Sequence, residues 1–217
     1  MCLYCAIERR PGSASTSLWR PGMTRRKMRR ATQVAIRAVF LDRDGTINVE
    51  RNYVHRIEDF EFVPGAIEGL QLLARASIDI IVVSNQAGIA KGIFSEADLA
   101  AINAHMTGEL LRHGVNLAGI HCCTHHPEAT VARYRRICSC RKPSPGLLVE
   151  AMRQRKIVAS QAVMVGDRNS DIEAGRALGL TTYLVETGYG AVEKHATNAT
   201  YVVADLRSAV SHILGGH

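Results

Sequence analysis

The chain is expected to fold as an α/β domain, a doubly wound, mostly parallel sheet with helices on both faces, and three features carry that expectation. Short apolar runs alternate with stretches of helical periodicity, as in repeated β-α-β units. The runs at 38–41 (Ala-Val-Phe-Leu) and 78–83 (Ile-Asp-Ile-Ile-Val-Val) are nearly continuous, as in strands covered on both sides. Polar and charged residues follow several of these runs directly, where open α/β sheets bind their ligands.

Ala38 to Leu41 reads as the first strand, and Gly45 is where it breaks into a loop. A polar loop runs to about Phe62. Pro64 then falls in the first turn of a helix whose Ile67, Leu70, Leu73 and Ala74 share one face. The second strand covers 78–83. After a Gly-containing loop a helix begins at Ser95, with Asp98 three residues on as a capping-box signal. Residues 117–123 make a third strand, an irregular Cys/His loop fills 123–142, and Pro145 starts the next helix. Ala162 to Val165 is a strand ending in Gly166-Asp167, and residues 170–178 are a short helix stopped by Gly179. Strands at 181–185 and 201–203 and a closing helix over 205–214 complete one domain, 34–217, with no internal repeat.

Of the 217 residues 47% are hydrophobic, enough for one core. The net charge of +7 is unevenly placed, because residues 1–37 hold nine Arg and Lys against one acid, Glu8. The excess belongs to a basic N-terminal extension over 1–33 and says little about what the folded body binds. That extension is rich in Arg, Ser, Gly and Pro, lacks a sustained apolar face, and is expected to be disordered. Nothing in it is long and apolar enough for a secretory signal or a membrane span. Four of the six cysteines lie within 122–140, and clustered thiols without an export signal point to metal in a reducing, cytoplasmic compartment.

The stretch Phe40-Leu-Asp-Arg-Asp-Gly-Thr46 is the most informative. Asp42 and Asp44 at a strand tip suit a hard cation such as Mg²⁺, and a metal-screened carboxylate can attack phosphorus. Alone, an Asp pair before Gly-Thr is as readily turn chemistry. Other element ends decide the matter: Ser84-Asn85-Gln86, Arg141-Lys142-Pro143, and Gly166-Asp167-Arg168 with Asp171. Together they supply carboxylates, a hydroxyl and cations, the parts phosphoryl transfer needs. Arg43, Arg51, Arg141 and Arg168 give the rim more positive charge than one phosphate requires, which suits a bisphosphate. The competing reading is surface arginines paired with Glu50 or Asp171. Asp171 itself is expected to orient its neighbours or to cap the helix near Ser170.

Cys123-Thr-His125 and Cys138-Ser-Cys140 make a Cys₃His set, the composition of a closed, structural Zn²⁺ site. Cys122 is the alternative to Cys123, and His126 is expected to face solvent or a ligand.

The order D-x-D-G-T, S-N-Q, R-K-P and G-D-x-x-x-D resembles the haloacid dehalogenase-like phosphatases over about residues 37–190. The resemblance implies that Asp42 is a nucleophile forming an aspartyl-phosphate, and that Asp44 protonates the leaving oxygen and later activates water. It implies Mg²⁺ held by Asp42, the Asp44 main-chain carbonyl and Asp167, with Ser84 and Lys142 bonding the transferring phosphoryl group. The 40 residues from Asp44 to Ser84 leave no room for a large cap, so a comparatively open site is expected. The long zinc loop before R-K-P narrows the resemblance to the D,D-heptose 1,7-bisphosphate phosphatases, related to the histidinol-phosphate phosphatases, whose loop is shorter. By position this implies substrate contacts at Asp42, Arg43, Asp44, Glu50, Arg51, Asn52, Tyr53, Ser84, Asn85, Gln86, Ala87, Arg141, Lys142 and Arg168.

Three departures stand out: Ser84 replaces a Thr, Arg168 replaces a Lys with different geometry, and Glu50-Arg51-Asn52 replaces Asp-x-Gly. The expectation is a monomeric phosphatase removing the 7-phosphate of a heptose 1,7-bisphosphate for nucleotide-activated heptose synthesis. Its partner is a small sugar bisphosphate, with no nucleic acid or membrane. The alternatives are histidinol phosphate as substrate, a nucleic-acid 3′-phosphate, or a zinc-stapled binding protein using its basic arm.

Overall fold

The computed structural model describes residues 35–215, so the expected disorder of the N-terminal extension lies outside the described residues. The described residues hold six strands: β1 (Ala38–Leu41), β2 (Asp79–Asn85), β3 (Gly119–Cys123), β4 (Ala162–Gly166), β5 (Thr181–Val185) and β6 (Tyr201–Val203). They form one sheet in the order β3-β2-β1-β4-β5-β6, and every neighbouring pair is parallel. The order reverses between β1 and β4, and the crevice beyond the carboxyl ends of strands at such a reversal is where open α/β sheets bind ligands.

The apolar runs are continuous because both faces of the sheet are covered. Val39, Leu41, Ile80, Val82, Val163 and Val165 enter one core with α1 (Ala66–Arg75), α2 (Glu96–Arg112) and α6 (Leu206–Ile213). Their alternates Ala38, Phe40, Ile81, Val83, Ala162 and Met164 enter a second core with α3 (Gly146–Arg155) and α4 (Asn169–Arg176). A strand with side chains of period two, buried on both faces, has no polar position to break its run.

Local signals set most helix ends. Ser95 and Asp98 form a reciprocal capping box on α2, with Asp98 N donating to Ser95 Oγ at 3.2 Å and Ser95 N to Asp98 Oδ2 at 2.8 Å. Pro145 immediately precedes α3, and Asp205 caps α6. Pro64 is not inside α1 as expected, because Gly65 takes a left-handed φ of 81° as the N-cap and the helix begins after it. The one-turn helix α5 (Gly190–Glu193) follows β5 and has no sequence signal, since four residues carry no periodicity.

A third apolar cluster joins Val54, Ile89, Ala90, Phe94, Leu99 and Ile102 to Ala129 and Tyr134 of the Cys/His loop. The Tyr134 hydroxyl donates to Glu96 at the start of α2 (2.8 Å), and Val131 N donates to Ala90 O (3.0 Å). The loop is thereby docked against the strand-end side of the sheet. No described helix is long and apolar enough to cross a membrane.

Candidate active site

β1 and β4 lie side by side, with Leu41 opposite Val165, and Asp42 N extends the ladder to Val165 O at 3.0 Å. This register places Asp42 and Asp167 at adjacent tips on either side of the sheet's reversal. Carboxylate oxygens of Asp42, Asp167 and Asp171 all lie within 4.8 Å of one another, and all three residues are buried. Lys142 reaches in from the loop before α3. Its Nζ lies 2.8 Å from Asp42 Oδ1, 2.6 Å from Asp171 Oδ1 and 2.6 Å from Val83 O.

Burial works against the Lys142 ammonium, but Asp171 and Asp42 outweigh it and hold its proton more tightly than usual. Burial, opposed by Lys142 and reinforced by Asp171, raises Asp42 to about 6. Burial together with Asp42 and Asp171 pushes Asp167 up to about 9. One ammonium between three buried carboxylates leaves a deficit of positive charge.

The deficit centres on Asp167. Its Oδ2 accepts from Tyr189 N at 2.8 Å, while its buried Oδ1 has no partner. A buried carboxylate oxygen without a donor is costly unless a cation takes the place beside it. The space is also cleared by glycine: Gly45 has φ 79°, and a Cβ there would meet Asp167 Oδ2 at 2.2 Å. An oxygen-only donor set of this kind fits Mg²⁺. Asp171 is turned to other uses. Its Oδ2 accepts from Arg168 N at 3.0 Å, capping α4, and its Oδ1 pairs with Lys142.

Asp44, two residues after Asp42, is held by three side chains. Arg43 Nη2 donates to both its oxygens at 3.0 Å, Asn48 Nδ2 to Oδ1 at 3.0 Å, and Gln86 Nε2 to Oδ2 at 2.8 Å. Gln86 Nε2 also reaches Ser84 Oγ at 2.9 Å, which ties the end of β2 to the same centre.

Several expected contacts are used differently. Arg43 is not at the rim but wholly buried, bonded to Asp44, Asn103 Oδ1 (3.2 Å) and Val54 O (2.8 Å). Arg51 is no free rim cation either, because it pairs with Glu61 on the surface. The Asn85 side chain locks the Lys142 main chain, donating to Lys142 O and accepting from Lys142 N, both at 3.0 Å. Ala87 is buried in the loop after β2.

Arg141 and Arg168 are both half-buried. Arg141 Nη1 reaches His125 O at 3.5 Å, and the Arg168 guanidinium stacks 3.5 Å over the Tyr189 ring. The Tyr189 hydroxyl donates to Asn52 Oδ1 at 3.0 Å, fixing the loop in which Asn52 and Tyr53 have positive φ. Tyr53 Oη accepts from Lys91 at 2.7 Å. Glu50 accepts from Asn52 N at 2.6 Å, and burial with the nearby Asp44 charge raises its proton affinity.

Asn48, Asn103 and Tyr189 were missed from sequence. Asn48 stands beside the D-x-D-G-T run and was within reach of position alone. Asn103 lies on α2 and Tyr189 beyond β5, where no motif marks them.

The Cys₃His set closes as expected, with Cys123 and not Cys122. The three sulfurs lie 3.2 to 3.6 Å apart, and His125 Nδ1 is 3.4 Å from Cys140 Sγ and 3.7 Å from Cys123 Sγ. A tetrahedral ion with bonds of about 2.3 Å to sulfur needs edges of about 3.8 Å, so a small outward shift of the sulfurs would let this donor set hold Zn²⁺. Cys122 Sγ instead lies 3.8 Å from Asn103 Nδ2, and His126 Nδ1 accepts from Glu128 N. Cys140 directly precedes Arg141-Lys142, so the thiol cluster anchors the segment that carries both cations into the site.

The chain is similar to several known proteins. A model of HAD-hydrolase-like proteins matches residues 139–209. The D-glycero-beta-D-manno-heptose-1,7-bisphosphate 7-phosphatase of Photorhabdus laumondii is 41% identical over 182 residues, 82% of this chain and 97% of its own. The enzyme of the same name from Escherichia coli K12 is 40% identical over 180 residues, 81% of this chain and 94% of its own. Among solved structures, a D,D-heptose 1,7-bisphosphate phosphatase from B. bronchiseptica, complexed with magnesium and phosphate, superposes with a TM-score of 0.76 at 28% identity. That match covers 84% of this chain and all of the other.

Proposed function

Because the chain belongs to the D-glycero-beta-D-manno-heptose-1,7-bisphosphate 7-phosphatase family of HAD-like hydrolases, we propose that it removes the 7-phosphate of that sugar bisphosphate, with Asp42 as nucleophile and Asp44 as acid and base. The observation that carries this reading is Asp42 paired at 2.8 Å with the buried Lys142 and clustered with Asp167, whose buried Oδ1 has no partner.

In the first half-reaction an Asp42 carboxylate oxygen bonds to phosphorus as the bond from phosphorus to the sugar oxygen breaks. Asp44 gives its proton to the departing oxygen. In the second, Asp44 takes a proton from water, whose oxygen bonds to phosphorus. The acyl-phosphate bond breaks, and phosphate leaves with the Asp42 carboxylate restored. Lys142 remains protonated throughout and offsets the charge on Asp42 and on the phosphoryl oxygens. Ser84, at the end of β2, is the hydroxyl donor to those oxygens. Asp42, the Asp44 carbonyl and Asp167 would hold Mg²⁺, which would supply further positive charge at the reacting centre. Arg141 and Arg168 are the cations for the second phosphate, with Glu50, Asn52 and Tyr53 lining the sugar. Three thiols serving as metal donors suit a reducing cytoplasm, and the chain acts as a monomer on a small molecule.

The deciding experiment is phosphate release with Mg²⁺ from heptose 1,7-bisphosphate and from histidinol phosphate, beside Asp42→Asn. Turnover of the bisphosphate alone, abolished in the variant, is expected. Turnover of histidinol phosphate alone would overturn the substrate assignment and keep the mechanism.

A further inference from the structure

Arg43 is the largest fully buried side chain of the described residues, an unusual place for a guanidinium. Each of its three nitrogens donates. Nε reaches Asp44 Oδ1 at 3.3 Å, Nη2 reaches both Asp44 oxygens at 3.0 Å and Val54 O at 2.8 Å, and Nη1 reaches Asn103 Oδ1 at 3.2 Å. Its own carbonyl accepts from Ile47 N at 2.8 Å and Asn48 N at 3.1 Å, so side chain and main chain both brace the turn that carries Asp44. Asn103 belongs to the middle of α2, and Val54 to the loop that also carries Glu50–Tyr53. The fork of an arginine bonds two separate elements and one carboxylate at fixed geometry, which a lysine cannot do.

We propose that Arg43 is a positioning residue for the proton donor: it fixes the Asp44 carboxyl on a frame made by α2 and the 50–56 loop, so that the proton is delivered to the leaving oxygen. A proton donor is useful only within hydrogen-bond reach of the departing atom, and Asp44 is otherwise a short side chain on a turn. The proposal rests on Asp44 being the acid of the proposed function.

The test is the dependence on leaving group. kcat/KM reports the steps through departure of the leaving group, so it excludes the later attack of water. A sugar alkoxide needs its proton, whereas p-nitrophenolate departs without one. Arg43→Met and Arg43→Lys are measured on the sugar bisphosphate and on p-nitrophenyl phosphate, with zinc content and melting temperature as controls of folding.

Expected is a loss of about 10²-fold on the sugar ester, the usual scale of general acid catalysis, and a much smaller loss on the aryl ester, so that their ratio shifts at least about tenfold. Equal losses on both esters in a folded variant, or no loss on either, would overturn the proposal and leave Arg43 a structural brace. If Arg43→Met does not fold, Arg43→Lys decides, since it keeps the charge and loses the fork. Asp44→Asn separates the two readings. If it shifts the ratio and the Arg43 variants do not, the positioning role fails; if it leaves the ratio unchanged, the assignment of Asp44 itself fails.

Discussion

Asn85 does not bond a reacting atom, yet the nitrogen and the oxygen of its amide both grip the main chain of Lys142 at 3.0 Å. Replacing it with Ala removes two hydrogen bonds at about 1 kcal/mol each. With Lys142 less firmly held, kcat/KM should fall about tenfold, and the melting temperature should drop by about 5 °C. Unchanged kinetics with a lowered melting temperature would restrict Asn85 to a stabilising part. Asp167 makes a second prediction at this scale. Its proton affinity is raised from 3.8 to about 9, so between those values the native state binds a proton that the unfolded state has lost. Stability without a divalent cation should therefore decline as pH rises through that window, and Asp42, raised to about 6, adds in the same direction at its lower end. Mg²⁺ replaces the proton, so it should raise the melting temperature more at pH 8 than at pH 5. An equal increment at the two would count against cation binding at this carboxylate.

At the scale of the element, the Cys/His loop shows how a metal staple and a catalytic segment are joined. Its thiols close on one point, its Tyr134 is buried against α2, and its last cysteine leads straight into Arg141-Lys142. Cys138→Ser should lose zinc, measured by metal analysis, and lower the melting temperature by about 10 °C or more. It should also reduce kcat/KM, because Lys142 inherits its position from the loop. Retained zinc and unchanged turnover would show the loop to be held by its apolar contacts alone. The loop was legible because ligand residue types at close spacing are rare outside metal sites. The short α5 and the exact start of α1 were not, since a single turn has no period and the left-handed Gly65 is a matter of local φ.

For the whole molecule, removing residues 1–33 should leave kcat/KM within about twofold, because every residue of the proposed site lies between Asp42 and Tyr189 and net charge alone says little about a buried site. A larger loss would make the basic extension part of the enzyme. The alternation of strand and helix, the two-sided burial of the strands and the identity of the four carboxylates and cations at their ends were determined by the sequence itself. They follow from periodicity and residue chemistry, which act over a few neighbours. Where each cation goes was decided only by tertiary structure. Arg43 is drawn into the interior by Asn103, sixty residues away, Arg51 is captured by Glu61, and Arg168 is laid on Tyr189. A charged side chain goes where its partners are, and those partners come together only when the sheet has closed.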